Sequence, residues 1–253
     1  MAKKIIIGNW KMNPVDVKEA EVIAGKIVAG SDSLKKISIV VCPPFQYLER
    51  VGPIAKKKVV LGAQDCFFGG KGPYTGEVSP EMIKSMGVKY VIIGHSERRA
   101  LGESDELINK KVGGALSVGL KVILCVGERS RDDSGEFLNF IKSQISQGLD
   151  KIKKSRLKNL LVAYEPIWAI GKDALHPATV QDVLEISIFI KKVLVDLFGR
   201  EEGLKVPIVY GGSVDVNNCR EFLTDGQADG LLVGRESLNP ENFIKILKTA
   251  NEL

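Results

Sequence analysis

Residues 122–164 read VILCVGERSRDDSGEFLNFIKSQISQGLDKIKKSRLKNLLVAY, and this stretch contains the pattern that decides the fold. It begins and ends with short, nearly continuous apolar runs, residues 122–126 and 160–164, which are typical of strands covered on both faces. Residues 136–153 between them predict one amphipathic helix. The apolar side chains at helical spacing are Phe137, Phe140, Ile141, Ile145, Leu149 and Ile152. The stretch therefore predicts two parallel strands joined by a helix.

The same alternation of apolar run and helical segment repeats along the whole chain. The other predicted strands are residues 5–8, 37–42, 59–63, 90–93, 207–210 and 230–233. Eight strand–helix units of similar length, with no long linker, predict an α/β fold, a closed (β/α)8 barrel in which residues 1–253 form a single domain. An open, doubly wound sheet also fits the alternation, but no G-x-G-x-x-G sequence follows the first strand.

Capping sequences predict where three helices begin. Ser79 and Asn239 each precede a proline, which suits the first position of a helix. Ser104 precedes two acids, which suit the positive end of the helix dipole. A further helix is predicted over residues 179–198, between the sixth and seventh strands.

The composition argues against several classes of protein. The chain is 44% hydrophobic and 26% charged, as in globular proteins that bury a large core. Its net charge is +5, but Lys and Arg are spread among the acids rather than gathered on one face, so we expect no nucleic-acid partner. Apolar runs stay far below the roughly 20 residues that span a bilayer, and the N-terminal run is too short for a signal peptide. We expect no membrane partner and a cytoplasmic location.

The four cysteines are far apart in sequence and form no C-x-x-C pair; they are Cys42, Cys66, Cys125 and Cys219. This spacing argues against both a zinc site and a disulfide framework. We therefore expect reduced thiols and no bound metal.

Polar residues and glycines collect where the predicted strands end. They are Asn9 and Lys11 after the first strand, His95 and Glu97 after the fourth, Glu165 after the sixth, Ser213 after the seventh, and Gly234 and Arg235 after the eighth. The C-terminal ends of barrel strands share one rim, which is where barrel active sites lie. Each residue alone also fits a structural role, as a helix cap, a satisfied core histidine, a solvated lysine or a loop-closing glycine. Their joint placement favours an active site.

The chemistry open to these residues is narrow. The sequence contains no cluster of metal ligands, no dinucleotide motif and no activated Ser–His or Cys–His pair. A carboxylate base, a hydrogen-bond donor and a cation can remove a proton next to a carbonyl and stabilise the enediolate that forms. Glycines after the last two strands suit a phosphate. The pattern indicates a cofactor-free isomerase of a phosphorylated carbonyl compound.

Six motifs resemble those of the triosephosphate isomerase family. They are NWKMN at residues 9–13, YTGE at 74–77, GHSERR at 94–99, CVGE at 125–128, YEPIWAIG at 164–171 and YGGSV at 210–214. They occur in order from about residue 5 to the last helix. The resemblance implies a TIM barrel that interconverts D-glyceraldehyde 3-phosphate and dihydroxyacetone phosphate, without a cofactor, in glycolysis and gluconeogenesis.

The resemblance also implies a role for each catalytic residue. Glu165 is the base that moves the proton between C1 and C2, and His95 is a neutral imidazole that donates to the substrate oxygens. Lys11 neutralises developing negative charge, with Asn9 nearby, and Glu97 contacts Lys11.

Binding residues are implied in the same way. Gly171, Ser213 and the Gly234–Arg235 peptide offer N–H groups to the phosphate, and residues 166–174 cover the substrate. Residues 67–79 dock into a second subunit of a homodimer, where Thr75 reaches the partner's active site. Phe67, Phe68 and Tyr74 make this loop hard to leave in water, which independently favours an interface.

Two departures from the family pattern keep alternatives open. After Gly171 the family continues Thr-Gly-Lys-Thr-Ala-Thr-Pro, whereas this chain reads KDALHP at residues 172–177 and places Asp173 near the expected phosphate. Arg235 stands where a second glycine is usual, and a positive φ there strains an arginine. One alternative is a non-catalytic barrel scaffold with an impaired covering segment. Another is a different phosphate-binding barrel isomerase or epimerase.

Overall fold

A computed structural model describes residues 3–55, 58–132, 134–171 and 176–253 of the chain. Eight strands in these ranges form a closed barrel in which every neighbouring pair is parallel and β1 pairs with both β2 and β8. The strands are β1 (Lys4–Asn9), β2 (Ile37–Cys42), β3 (Val59–Ala63), β4 (Tyr90–Ile93), β5 (Lys121–Val126), β6 (Leu160–Tyr164), β7 (Ile208–Tyr210) and β8 (Gly230–Val233). The predicted (β/α)8 barrel is confirmed, with strand order in space following strand order in the chain.

Helices connect the strands around the outside of the barrel. They are α1 (Val17–Gly30), α2 (Leu48–Ala55), α3 (Pro80–Ser85), α4 (Ser96–Ala100), α5 (Asp105–Ser117), α6 (Glu136–Gly148), α7 (Val180–Phe198), α8 (Arg200–Lys205), α9 (Cys219–Thr224) and α10 (Pro240–Glu252). Short 3-10 turns occupy Phe45–Tyr47, Lys154–Asn159, Ile167–Ala169 and Arg235–Leu238. Within the described ranges, no helix is long and apolar enough to cross a membrane.

The predicted helix caps are confirmed. Ser79 Oγ accepts a hydrogen bond from Met82 N over 3.2 Å, and Ser104 Oγ accepts from Leu107 N over 3.3 Å. Asn239 accepts through its side-chain oxygen from the second and third residues of α10. These oxygens satisfy N–H groups that have no partner inside the helix.

The helix predicted over residues 136–153 is wrong at its C-terminal end. α6 ends at Gly148, and Lys151 adopts a φ of 57°, which an α-helix does not accommodate. The predicted apolar stripe is also shifted, because Phe140 is 48% exposed whereas Ile141 and Ile145 are buried. The buried face of α6 carries Ile141, Ile145 and Gly148, and Phe140 lies beside this face rather than on it.

Two layers of apolar side chains make up the core. Ile5 and Ile7 of β1 point into the barrel, where they join Ile92 of β4 and Ile123 of β5. Ile6 points outward to the layer between the strands and the helices. This alternation explains why the strands are almost continuously apolar, since both of their faces are buried.

The four cysteines are free thiols, and all four are buried. Burial raises the pKa of each thiol above its usual value, to about 12 for Cys66. For Cys125 the neighbouring Glu165 carboxylate adds to the effect of burial. At neutral pH these side chains therefore act as small apolar groups of the core rather than as nucleophiles.

Candidate active site

A cleft of about 580 Å³ opens at the C-terminal ends of the strands. The predicted residues that line it are Asn9, Lys11, His95, Glu165, Gly171, Ser213, Gly234 and Arg235. Glu97 reaches the cleft through Lys11, and Thr75 stays outside it. The structure thus brings nearly all the predicted residues to one place, because parallel strands of a barrel end at one rim.

Glu165 lies at the end of β6 with its side chain almost entirely buried, at 2% exposure. Oε2 accepts a hydrogen bond from the backbone N–H of Ser96 over 2.9 Å. Oε1 lies 3.2 Å from His95 Nε2 but forms no hydrogen bond with any described residue. A buried carboxylate oxygen without a donor costs about 1–3 kcal/mol, so it is poised to interact with a ligand that enters the cleft.

His95 immediately precedes α4 and caps it. Its Nδ1 accepts a hydrogen bond from the backbone N–H of Glu97 over 3.2 Å. A nitrogen that accepts carries no proton, so the imidazole is in the tautomer with its proton on Nε2. Nε2 faces Glu165 across the cleft. His95 is therefore arranged as a neutral donor beside the Glu165 carboxylate.

Lys11 sits on a strained backbone, with a φ of 54°. Asn9 holds this conformation, because its Oδ1 accepts from Lys11 N over 3.0 Å, and Gln64 Nε2 donates to Lys11 O over 2.8 Å. Backbone strain of this kind costs of order 1–3 kcal/mol and tends to occur at functional sites. Here it turns the Lys11 side chain along the cleft wall, where Nζ pairs with Glu97 Oε1 over 2.6 Å.

Another part of the cleft wall is built largely from backbone. Gly171 has a φ of 87°, which favours glycine, and Ser213 Oγ donates to Ala169 O over 3.0 Å, which ties the loop after β7 to the turn after β6. The N–H groups of Gly234 and Arg235 find no acceptor within the part of the chain that the structure describes. Arg235 begins a 3-10 turn and is not among the residues with positive φ, so the strain considered for an arginine here is absent.

The departure after Gly171 lies outside the described residues, because it falls on residues 172–175, Asp173 among them. The residues on either side are described. Trp168 and Ala169 are buried in the 3-10 turn, and the His176 ring lies 4.9 Å from the Trp168 ring.

The loop of residues 67–79 is less exposed than expected. Phe67 is buried and Phe68 half-buried, since their rings stack at 4.1 Å and Phe67 also meets Tyr74 at 4.5 Å. The expectation of three exposed aromatic rings is therefore wrong for Phe67. Tyr74 and Thr75 remain exposed at the tip of the loop.

No role is predicted for Glu128 from the sequence, although its carboxylate ties together three side chains near Glu165. Oε1 accepts from the Tyr164 hydroxyl over 2.8 Å, from Trp168 Nε1 over 2.7 Å and from Arg131 Nε over 3.0 Å. Glu128 follows the end of β5 by two residues, just as the predicted site residues follow the ends of their strands. This position is a signal that could have identified Glu128. Arg131 gave no such signal, because it lies in a charged loop that looks solvated.

Gly127 packs against the backbone of Glu165, and we expect Gly127→Ala to displace Glu165. An added Cβ would lie 1.8 Å from Glu165 O, which forces the two segments apart. If this cleft is a catalytic site, kcat should fall by about 10²-fold, because small misplacements of reacting groups can cost about that factor. The check is steady-state kinetics alongside thermal unfolding.

Gly25→Ala in α1 is the control, since its added Cβ meets nothing within 4 Å, and it should keep wild-type kcat. Wild-type kcat in a folded Gly127→Ala variant would show that the position of Glu165 does not limit activity.

The arrangement suits proton transfer more than other chemistry. A buried carboxylate with a free oxygen faces a neutral imidazole donor, and an ammonium group and unpaired backbone N–H groups stand on the surrounding walls. No group of three or more His, Cys, Asp or Glu side chains that could hold a metal occurs in the described ranges. A second cavity of about 650 Å³ beside α8 contains none of the predicted residues.

Comparison with known proteins identifies relatives over almost the full chain. The family model described as "Triosephosphate isomerase" matches residues 4–250. A triosephosphate isomerase of Carboxydothermus hydrogenoformans is 44% identical over 98% of this chain and 99% of its own. One of Dictyoglomus thermophilum is 40% identical over 98% and 100%. The crystal structure of triosephosphate isomerase from Bartonella henselae superposes with a TM-score of 0.85 at 35% identity, over 98% of each chain.

Proposed function

Because the chain belongs to the triosephosphate isomerase family and is therefore an isomerase of triose phosphates, we propose that Glu165 moves the proton in this reaction. It takes a proton from one carbon of the substrate and returns it to the neighbouring carbon. The intermediate is an enediolate, and D-glyceraldehyde 3-phosphate and dihydroxyacetone phosphate interconvert without a cofactor.

The observation that carries this proposal is the unpaired Oε1 of Glu165. It is buried, it faces the cleft, and it lies 3.2 Å from His95 Nε2. A base must have a free lone pair within reach of the substrate carbon, and its neighbour must be able to donate to the adjacent oxygen. Both conditions are met by Glu165 with His95.

His95 and Lys11 stabilise the charge that develops when the proton leaves. His95 donates from Nε2 to the oxygens on C1 and C2, which become an enediolate. Lys11 brings its ammonium group to the same side, held by the strained turn at Asn9 and paired with Glu97 until the substrate enters. Such preorganised donors are most effective where water is excluded.

The phosphate binds to backbone N–H groups of the loops that follow β6, β7 and β8. Gly171, Ser213, Gly234 and Arg235 line this part of the cleft, and the unpaired N–H groups of Gly234 and Arg235 suit a phosphate oxygen. This contact orients C1 and C2 toward Glu165.

The protein acts as a homodimer through the loop of residues 67–79, with Thr75 reaching the partner's active site. Support comes from apolar side chains left in solvent at this rim of the barrel. Met12 is 92% exposed, Leu101 is 85% exposed, and Tyr74 and Met82 are about half exposed. Large exposed apolar groups gathered near one rim mark an interaction surface.

Leu101→Glu should convert the dimer to a monomer, because burying an unpaired carboxylate in an interface is costly. The measurement is molar mass by light scattering across a dilution series. The wild type should show twice the mass of the chain, and Leu101→Glu the mass of one chain. Leu204→Glu on α8 is the control and should remain dimeric. A wild type that stays monomeric at the highest concentration would contradict the proposal.

A cytoplasmic location and a single domain over residues 1–253 complete the proposal. The location is supported by the part that triose phosphates play in central carbon metabolism and by free thiols in the fold. The single domain is supported by a barrel whose first and last strands pair with each other.

The test is interconversion of the two triose phosphates by the purified full-length chain, measured in both directions. Turnover should be fast, and glyceraldehyde without its phosphate should react with kcat/KM lower by several orders of magnitude, because phosphate binding contributes to transition-state stabilisation. A folded protein without turnover would favour the scaffold alternative. Activity on a different sugar phosphate alone would favour an epimerase.

A further inference from the structure

Arg131 lies in the loop after β5 and takes no part in the proposed chemistry, yet its guanidinium contacts several elements around the site. Its side chain is 21% exposed. It reaches Glu128 in the same loop, Tyr164 at the end of β6, Trp168 in the following 3-10 turn and Asp182 in α7. A planar guanidinium with five N–H donors is suited to such a junction.

One side of Arg131 holds the chain next to the base. Nη2 donates to the Tyr164 hydroxyl over 3.1 Å, and Nε donates to Glu128. The guanidinium carbon lies 5.1 Å from the centre of the Trp168 ring, within cation–π range. Tyr164 directly precedes Glu165 in sequence, so this side of the contact set fixes the backbone that carries the base.

The other side holds the start of α7. Nη1 of Arg131 donates to Asp182 Oδ1 over 2.6 Å. Asp182 Oδ2 accepts from Thr179 N over 2.7 Å and from Thr179 Oγ1 over 2.6 Å, which forms a capping box. Burial opposes ionisation of Asp182, but the hydrogen bonds from Thr179 and the charge of Arg131 hold its pKa below the usual value. The Arg131–Asp182 contact is therefore an ion pair at neutral pH.

The charge of Arg131 is needed in this position. Glu128 is 1% exposed, and a buried carboxylate is destabilising unless a cation and hydrogen bonds compensate it. Replacing Arg131 with a neutral residue leaves Glu128 with the Tyr164 and Trp168 donors but without a counter-charge. At the same time Asp182 loses its link to the chain near the base.

We propose that Arg131 is a positioning residue for the isomerase reaction, acting by holding Tyr164 and Trp168, which lie on either side of Glu165, in place against the start of α7. Arg131 thereby sets how Glu165 faces the substrate, without touching the substrate itself. The inference rests on the proposed function.

The readout that separates positioning from stability is the fate of the enediolate. When the intermediate is poorly held, its C3–O bond breaks, inorganic phosphate leaves with the bonding electrons, and the remaining enol rearranges to methylglyoxal. Arg131→Met should lower kcat about 10-fold and raise the phosphate released per isomerisation about 10-fold. Arg131→Lys keeps the charge but loses the fork of donors, so it should fall between the wild type and Arg131→Met.

Asp182→Asn tests the link itself, since asparagine keeps an oxygen for Thr179 but loses the ion pair. It should raise phosphate release in the same direction, and the double variant with Arg131→Met should add little to Arg131→Met alone. Arg50→Met, which removes a surface ion pair with Glu21, is the control and should match the wild type. A folded Arg131→Met enzyme with wild-type kcat and phosphate release, changed only in melting temperature, would overturn the inference. Absence of turnover by the wild type would instead reject the proposed function.

Discussion

Glu165→Gln is expected to lower kcat by about 10³-fold, because the amide cannot accept the proton that the carboxylate removes from carbon. The substitution preserves shape, and the amide oxygen can still accept the Ser96 N–H that now binds Oε2. The amide NH₂ then takes the place of Oε1, beside the Nε2–H of His95, so two donors face each other across the cleft. The barrel should remain folded while proton transfer is lost.

The measurement is steady-state kinetics of the purified variant, together with its melting temperature. Glu21→Gln makes the same chemical change at a surface ion pair on α1 and should keep wild-type kcat. If Glu165→Gln retained a tenth or more of wild-type kcat, another group would have to be the base.

Lys11→Met should lower kcat/KM by about 10²- to 10³-fold, the range seen when a preorganised stabiliser of developing negative charge is removed. Methionine is similar in length and apolar, and Asn9 and Gln64 continue to hold the backbone turn. Glu97 loses its partner but is more than half exposed, so water can solvate it. The loss should therefore appear in catalysis rather than in folding.

Kinetics at several ionic strengths check this second prediction. Lys11 interacts with a dianionic substrate, so kcat/KM of the wild type should fall as salt rises, and that of Lys11→Met should fall less. Lys26→Met on the exposed side of α1 should behave as the wild type. Wild-type kcat/KM in a folded Lys11→Met enzyme would remove Lys11 from the proposed chemistry.

The barrel and the location of the site were predictable from sequence for a physical reason. Strands buried on both faces are short and continuously apolar, so residues 37–42, 59–63, 90–93, 160–164 and 230–233 were predicted with the bounds that the structure shows. Once eight parallel strands form a barrel, every residue that follows a strand lies on one rim. Glu165, His95 and Lys11 were therefore placed together without any knowledge of side-chain contacts.

Other features depend on contacts that a linear pattern does not contain. α6 ends at Gly148, and Lys151, three residues further on, adopts a left-handed conformation that nothing in its residue type predicts. The Glu128–Arg131–Asp182 network draws on β5, β6 and α7, and its charges look like solvated loop residues until the fold brings them together. The strained turn at Lys11 likewise follows from hydrogen bonds with Asn9 and Gln64, the second of which comes from another loop.

Isomerisation in D₂O distinguishes the removal and return of a proton at carbon, as proposed for Glu165, from the transfer of a hydride. Dihydroxyacetone phosphate is converted by the wild-type protein, the product is trapped early, and hydrogen and deuterium at C2 are counted by NMR. A proton held on the Glu165 carboxylate can exchange with solvent, so we expect product molecules with one deuterium at C2. Product that contains no deuterium at C2, as direct hydride transfer between the carbons would give, would refute proton transfer through an exchanging carboxylate.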